Sequence, residues 1–237
     1  MSAGKKLLDY LYPPNARCVG CGDLSGADRD GFCAACLERL ESARAVSDAG
    51  CCPRCMQPLD ERGQCDRCEL MAGRIGEAGF AFYYRGPAAA IVRAFKYAGL
   101  SDRSDWMARQ MLTAPRARRL LEACDVIVCA PMDPLRRNWR GYNQAWLLAR
   151  SLSGLTGIPA RNVLRRRAFV RHQATLNREQ RIRNLDGIIR CAEDVRGQRV
   201  LLVDDVRTTG ATAAVCAQAL LDAGAARVDL LTFAGTD

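Results

Sequence analysis

From about residue 79 onward, apolar positions fall into two alternating kinds of segment. Short runs rich in Val, Ile, Phe and Tyr, "FAFYY" at 80–84, "DVIVCA" at 125–130, "RVLLVDD" at 199–205 and "RVDLLTF" at 227–233, read as strands. Longer amphipathic stretches at 87–99, 103–123, 142–153 and 210–223 read as helices, the last two ended by Gly154 and Gly224. Strands separated by helices imply an α/β fold: a parallel sheet with flanking helices on both faces and ligands outside the carboxyl ends of the strands. Upstream of "LMAGRIGEAG" this pattern stops and cysteine pairs crowd residues 18–68. The expected organisation is a small module over 1–74 followed by an α/β domain over 75–237.

With 237 residues, 49% of them hydrophobic, the chain can bury the core of one full domain and a small appendage. The opening "MSAGKKLLDYLYPP" sets two lysines before an apolar run, but Asp9 and the paired prolines leave that run too short for a secretory signal. No stretch approaches the roughly 18 apolar residues of a membrane span, so a cytoplasmic location is expected. Of 35 basic residues, 32 are Arg, a side chain suited to bidentate phosphate binding, although a GC-rich genome would give the same bias. Eight arginines lie between Arg161 and Arg183 against the single acid Glu179, a composition that argues against a core element. That segment reads either as a solvated face or as a mobile arm that closes over a polyanion.

Eight of the 13 cysteines form CxxC pairs: Cys18 and Cys21 with Cys33 and Cys36, then Cys52 and Cys55 with Cys65 and Cys68. Two pairs supply a tetrahedral four-cysteine zinc site, each pair forming one knuckle, and Gly22 gives the first knuckle the freedom to turn its N–H groups toward sulfur. A closed four-thiolate site is structural, and metal binding on the order of 10 kcal/mol folds a module too small for its own core. Eight thiolates and two Zn²⁺ ions bring the formal charge from +9 to +5, still basic. Disulfides or redox-active pairs are the alternatives. Cross-brace pairing is open too, though sequential pairing closes shorter loops. Cys51 reads as a spectator, and Cys124, Cys129, Cys191 and Cys216 as small buried hydrophobes. His172, the single histidine, reads as a surface residue.

The stretch "LLVDDVRTTGAT" at 201–212 runs an apolar strand into two acids, then into hydroxyls and a glycine. Asp204 and Asp205 at the mouth of a sheet need partners, which sugar hydroxyls or a divalent cation supply. Thr208, Thr209, Gly210, Ala211 and Thr212 form a turn opening a helix, where amides, hydroxyls and the helix dipole converge on a phosphate. A buried strand with a polar helix cap is the plainer alternative, but it needs only one acid and one threonine. Neither GxxxxGK[ST] nor GxGxxG is present.

This loop resembles the phosphoribosyl pyrophosphate (PRPP) motif of type I phosphoribosyltransferases. Together with "FKYAG", "APMDPLRRNWRGYNQAWLLA" and "RHQATLNREQRIRN" in that order, the chain resembles the ComF family of competence-associated proteins, which carry an N-terminal double zinc ribbon. The resemblance implies a type I phosphoribosyltransferase-like sheet, Asp204 and Asp205 on the ribose hydroxyls, and Thr208 to Thr212 on the 5-phosphate. It further implies Mg²⁺ held chiefly by PRPP's own oxygens, Arg136 and Arg137 near the pyrophosphate, Lys96 on phosphate, and Arg167, Gln173, Arg178, Arg181 and Asn184 on a flexible catalytic loop. Thr208 stands where enzymes acting on 6-oxopurines place an acidic base, which disfavours that class and leaves catalytic residues and acceptor open. The competing function is a single-stranded DNA-binding competence protein working with DNA-uptake partners, its PRPP pocket regulatory or vestigial. Aromatic platforms for bases are few. The arm offers Phe169, while Trp139 and Tyr142 serve either as a stacking surface or as cover for the sheet edge.

Overall fold

The computed structural model describes residues 17–24, 27, 28, 30–65, 68–97, 99, 101–133, 140–166 and 188–236. Five strands form one parallel sheet: β1 Ala78–Tyr83, β2 Val126–Cys129, β3 Ala160–Arg161, β6 Arg199–Arg207 and β7 Arg227–Gly235, in the order β1-β7-β6-β2-β3. β6 is central because "VLLV" is buried on both sides, the signature of a parallel strand covered on each face. A separate antiparallel ribbon pairs β4 Leu164–Arg166 with β5 Ile189–Cys191.

Among the described residues the α-helices are α1 Ala34–Glu41, α2 Gly86–Tyr97, α3 Ser104–Leu112, α4 Ala117–Ala123, α5 Gln144–Thr156 and α6 Ala211–Asp222. β6 passes through α6 to β7 on one side, whereas β2 passes through α5 to β3 on the other. Right-handed crossovers in opposite directions put α5 and α6 on opposite faces, and they open a crevice between the carboxyl ends of β6 and β2.

Three expectations are corrected. The helix expected over 103–123 is two helices, because Pro115 lacks an N–H and disfavours helical backbone at Ala114. Gly154 does not end α5; the helix runs on to Thr156 and stops at Gly157, whose φ of 76° is the left-handed cap. The arginine-rich segment contributes to the core after all at its start, where Val163 and Leu164, leading into β4, are fully buried.

Cysteine modules and sheet share one buried cluster, in which Cys18, Phe32, Cys36, Cys52, Cys68 and Met71 pack with the strand residues. Residues 43–45 run antiparallel along β1: Ala45 N donates to Ala81 O at 2.8 Å and Tyr83 N to Ala43 O at 2.7 Å. This link between the two modules closes the outer sheet edge. Arg116, almost fully buried, clamps the second module: Nε meets Asp48 Oδ2 at 2.7 Å while Nη1 donates to the carbonyls of Cys52, Pro53 and Ala78. Its guanidinium holds the Asp48 carboxyl below the usual range.

Candidate functional site

The eight CxxC cysteines assemble as two sequential sets, Cys18, Cys21, Cys33, Cys36 and Cys52, Cys55, Cys65, Cys68, with the sulfurs of each within 4.8 Å of one another. Sulfur pairs stand 3.8 Å apart at Cys21–Cys33 and 3.5 Å at Cys52–Cys68 and Cys55–Cys65. A tetrahedral zinc with bonds of about 2.3 Å requires sulfurs about 3.8 Å apart, so both sets fit zinc as closed structural sites. Among the described residues no cysteine is disulfide-bonded. The knuckles match: Gly22 N donates to Cys18 O and Met56 N to Cys52 O, with φ of 83° at Gly22 and 55° at Met56. The sequence marked the first by its glycine; the second carries a methionine that repays the strained backbone by burying its side chain against Ala45 and Phe80. Cys51 lies outside both sets. Cys129 and Cys216 are buried as expected, whereas Cys124 and Cys191 are half-buried and donate to the carbonyls of Leu121 and Glu193.

At the crevice between β2 and β6 lies a cavity of about 350 Å³. β6 delivers Asp204 and Asp205 to it, α2 delivers Lys96, the turn after β2 delivers Ala130 to Asp133, and the start of α5 delivers Asn143 and Gln144 beside Arg140. The register explains the convergence: Cys129 lies opposite Val203, so both chains leave the sheet at one level. Thr208 and Thr212 close the far wall, and Thr208 to Thr212 also surround a smaller hollow at the start of α6. Gly210 takes the left-handed φ of 78° that lets the chain turn into the helix, whose first amides lack intrahelical acceptors.

The electrostatics of the crevice centre on its two adjacent acids. Asp204 Oδ1 accepts from Asp205 N at 2.8 Å, and Lys96 Nζ stands 3.1 Å from Asp205 Oδ1. Burial, reinforced by the charge of Asp205, pushes the Asp204 carboxyl up to about 7. Burial likewise raises Asp205, against the opposing pull of Lys96. Asp205 Oδ2, Gln144 Nε2 and Arg140 Nε are buried with no hydrogen-bond partner, three polar atoms whose desolvation a ligand would offset. Arg166 adds a third cation beside Lys96 and Arg140, 3.7 Å from Asp133.

Sequence reasoning located Lys96 and the loop residues, all of which line the cavity or the adjoining hollow; Lys96 meets a carboxylate rather than standing free for phosphate. It missed Arg140, Gln144 and Arg166 as lining residues, although the first two sit within the quoted "APMDPLRRNWRGYNQAWLLA". Tyr142 packs against Phe95 and donates its hydroxyl to Phe95 O, so it serves as cover. Arg136, Arg137, Arg167, Gln173, Arg178, Arg181 and Asn184 lie outside the described residues, as do Trp139, Phe169 and His172.

Two four-cysteine ribbons ahead of a parallel sheet whose acid pair and threonine turn share one crevice define an α/β protein with an N-terminal double zinc ribbon. The model of the double zinc ribbon domain matches residues 7–69. The DNA utilization protein YhgH of Escherichia coli K12 is 32% identical over 84% of this chain and 88% of its own length, and that of Salmonella typhimurium is 34% identical over the same shares. Competence protein F of Haemophilus influenzae is 29% identical over 84% of this chain and 87% of its own. The chain belongs to the family of these proteins, the ComF family. Purine phosphoribosyltransferase from Pyrococcus horikoshii Ot3 shares 22% identity at a TM-score of 0.33, covering 53% of this chain and 71% of its own; the allosteric regulatory enzyme of purine biosynthesis shares 22% at 0.40, over 56% and 25%. Among the described residues no helix is long and apolar enough to cross a membrane.

Proposed function

We propose that the crevice binds PRPP, with Asp204 and Asp205 on the ribose hydroxyls and the Thr208 to Thr212 turn on the 5-phosphate, and that the protein serves ribosyl transfer with release of pyrophosphate. The observation that carries this reading is the convergence of one buried and one half-buried acid, crowded in charge, three unpartnered buried polar atoms and a helix start on one cavity. Two pentose hydroxyls relieve the acids by donating to both, and phosphate supplies acceptors for the first amides of α6. Mg²⁺, bound chiefly through the oxygens of PRPP, would neutralise the leaving pyrophosphate. Lys96 and Arg140 stand beside the acids, where their charge opposes the upward shift that burial imposes on Asp205. Titration calorimetry with PRPP and Mg²⁺ tests the reading: the wild type binds, and Asp204→Asn/Asp205→Asn does not. Equal affinity in the two would remove it.

The names of the relatives, DNA utilization protein and Competence protein F, favour a second role in DNA handling. Single-stranded DNA held by the arginines of this basic chain should dissociate steeply as salt rises, since each phosphate contact releases counterions. Affinity indifferent to salt would count against that role.

A further inference from the structure

We propose that the second zinc site sets the shape of the phosphate turn, with Gln57, Arg207 and Met71 as positioning residues, so that zinc retention and sugar-phosphate binding reinforce each other; the ligand half of this inference rests on the function proposed above.

The connection runs through two independent contacts. Gln57 follows the Cys52–Cys55 knuckle, to which its own carbonyl is tied by the N–H of Cys52 at 2.8 Å. Its buried side chain donates through Nε2 to Thr236 O at 2.8 Å. Thr236 in turn donates its amide to Arg207 O at 2.9 Å and its hydroxyl to Thr208 O at 3.1 Å. Arg207 completes the ring, donating to Thr208 O at 3.1 Å and to Thr236 O at 2.8 Å. The first residue of the phosphate turn is thus tied to the zinc knuckle through two residues, Gln57 and Thr236. The second contact is steric. Met71 closes the short turn that begins just after the ligand Cys68, and its side chain lies so close to Gly210 that a Cβ there would fall 2.7 Å from Met71 Sδ. The left-handed residue at the start of α6 is therefore packed directly on the segment leaving the zinc site.

Charge runs along the same path. The Arg207 guanidinium is buried, and the sulfurs of Cys55, Cys68, Cys52 and Cys65 act on it to oppose the cost of that burial. Nothing equivalent links the first site to the turn: among the described residues its Gly20 approaches Pro87 of α2 and its Phe32 packs on Trp106 of α3.

Amide exchange on the zinc-replete full chain tests the coupling without any ligand. Gln57→Leu should exchange the amides of residues 208–212 about tenfold faster than wild type, the scale of one buried hydrogen bond, while zinc content and the protection of β6 stay unchanged. Leu40→Ala, a cavity in the helix of the first module, should leave the exchange of that turn unaltered relative to the rest of the sheet. Unchanged exchange at 208–212 in Gln57→Leu, or equal acceleration in both variants, overturns the inference. A chelator assay supplies the linkage: saturating ribose 5-phosphate should slow release of one of the two zinc ions severalfold in wild type and not in Gln57→Leu, because coupling is reciprocal. Release unaffected in wild type by a bound sugar phosphate also overturns it. Failure of wild type to bind ribose 5-phosphate at all would defeat the proposed function instead, and the exchange comparison would still decide the coupling.

Discussion

Asp204→Asn is expected to stabilise the protein at pH 8 and to leave its stability at pH 4 unchanged. In the folded chain, burial and the neighbouring Asp205 push the Asp204 carboxyl up to about 7, against ~3.9 for an unfolded aspartate. The native state therefore holds this proton more tightly than the unfolded state does. Its contribution to stability is complete below about pH 4 and drains away as pH climbs to about 7. Three units at ~1.36 kcal/mol each set a ceiling of about 4 kcal/mol, and because part of the repulsion belongs to Asp205, about 2 kcal/mol should be recovered by the substitution. Asparagine keeps the Oδ1 acceptor used by Asp205 N, and Lys96 keeps its own partner in Asp205. Urea unfolding of both proteins at pH 4, 6 and 8 gives the comparison: the gap in favour of the variant should be near zero at pH 4 and fully open by pH 8. A gap independent of pH, or a variant less stable than wild type at pH 8, would refute the idea that the acid pair is held at a cost for the sake of a ligand. The same variant should lose PRPP binding.

Arg116→Met should destabilise by about 4 kcal/mol in the same unfolding assay, because it strands several buried carbonyls and leaves Asp48 only its longer contact with Arg119, and Arg116→Lys should not rescue it, since one ammonium cannot reach them all. Gly210→Ala combines a left-handed φ with a contact on Met71; a loss of about 1–2 kcal/mol and weakened ribose 5-phosphate binding by calorimetry are expected. Metal analysis should find two zinc ions per chain, and stripping them should abolish cooperative unfolding of the ribbons as seen by circular dichroism.

The elements with strong local signatures were legible in the sequence. "RVLLVDD" reads as a strand covered on both faces, since an uninterrupted Val and Leu run is tolerated only there, and the CxxC spacing marks the eight ligands while leaving sequential and cross-brace pairing open, a choice the fold resolves as sequential. Gly154 misled because an exposed glycine inside a helix costs only about 1 kcal/mol, which the packing of Leu148 and Leu152 outweighs. Arg140, Gln144 and Arg116 gave no signal, because their roles depend on what lies across the sheet rather than beside them in the chain. The same holds for the strand-like residues 43–45, which carry no β pattern and pair with β1 only because its outer edge needs a partner.

That pairing makes the ribbons inseparable from the sheet. A shortened protein starting at residue 75 would present β1 with bare amides and carbonyls along Ala81 to Tyr83, a template onto which a second molecule's strand could zip. The metal-bearing segment is thus also a guard against self-association, and trimming it away in search of a minimal sugar-phosphate binder should yield aggregates rather than a smaller monomer.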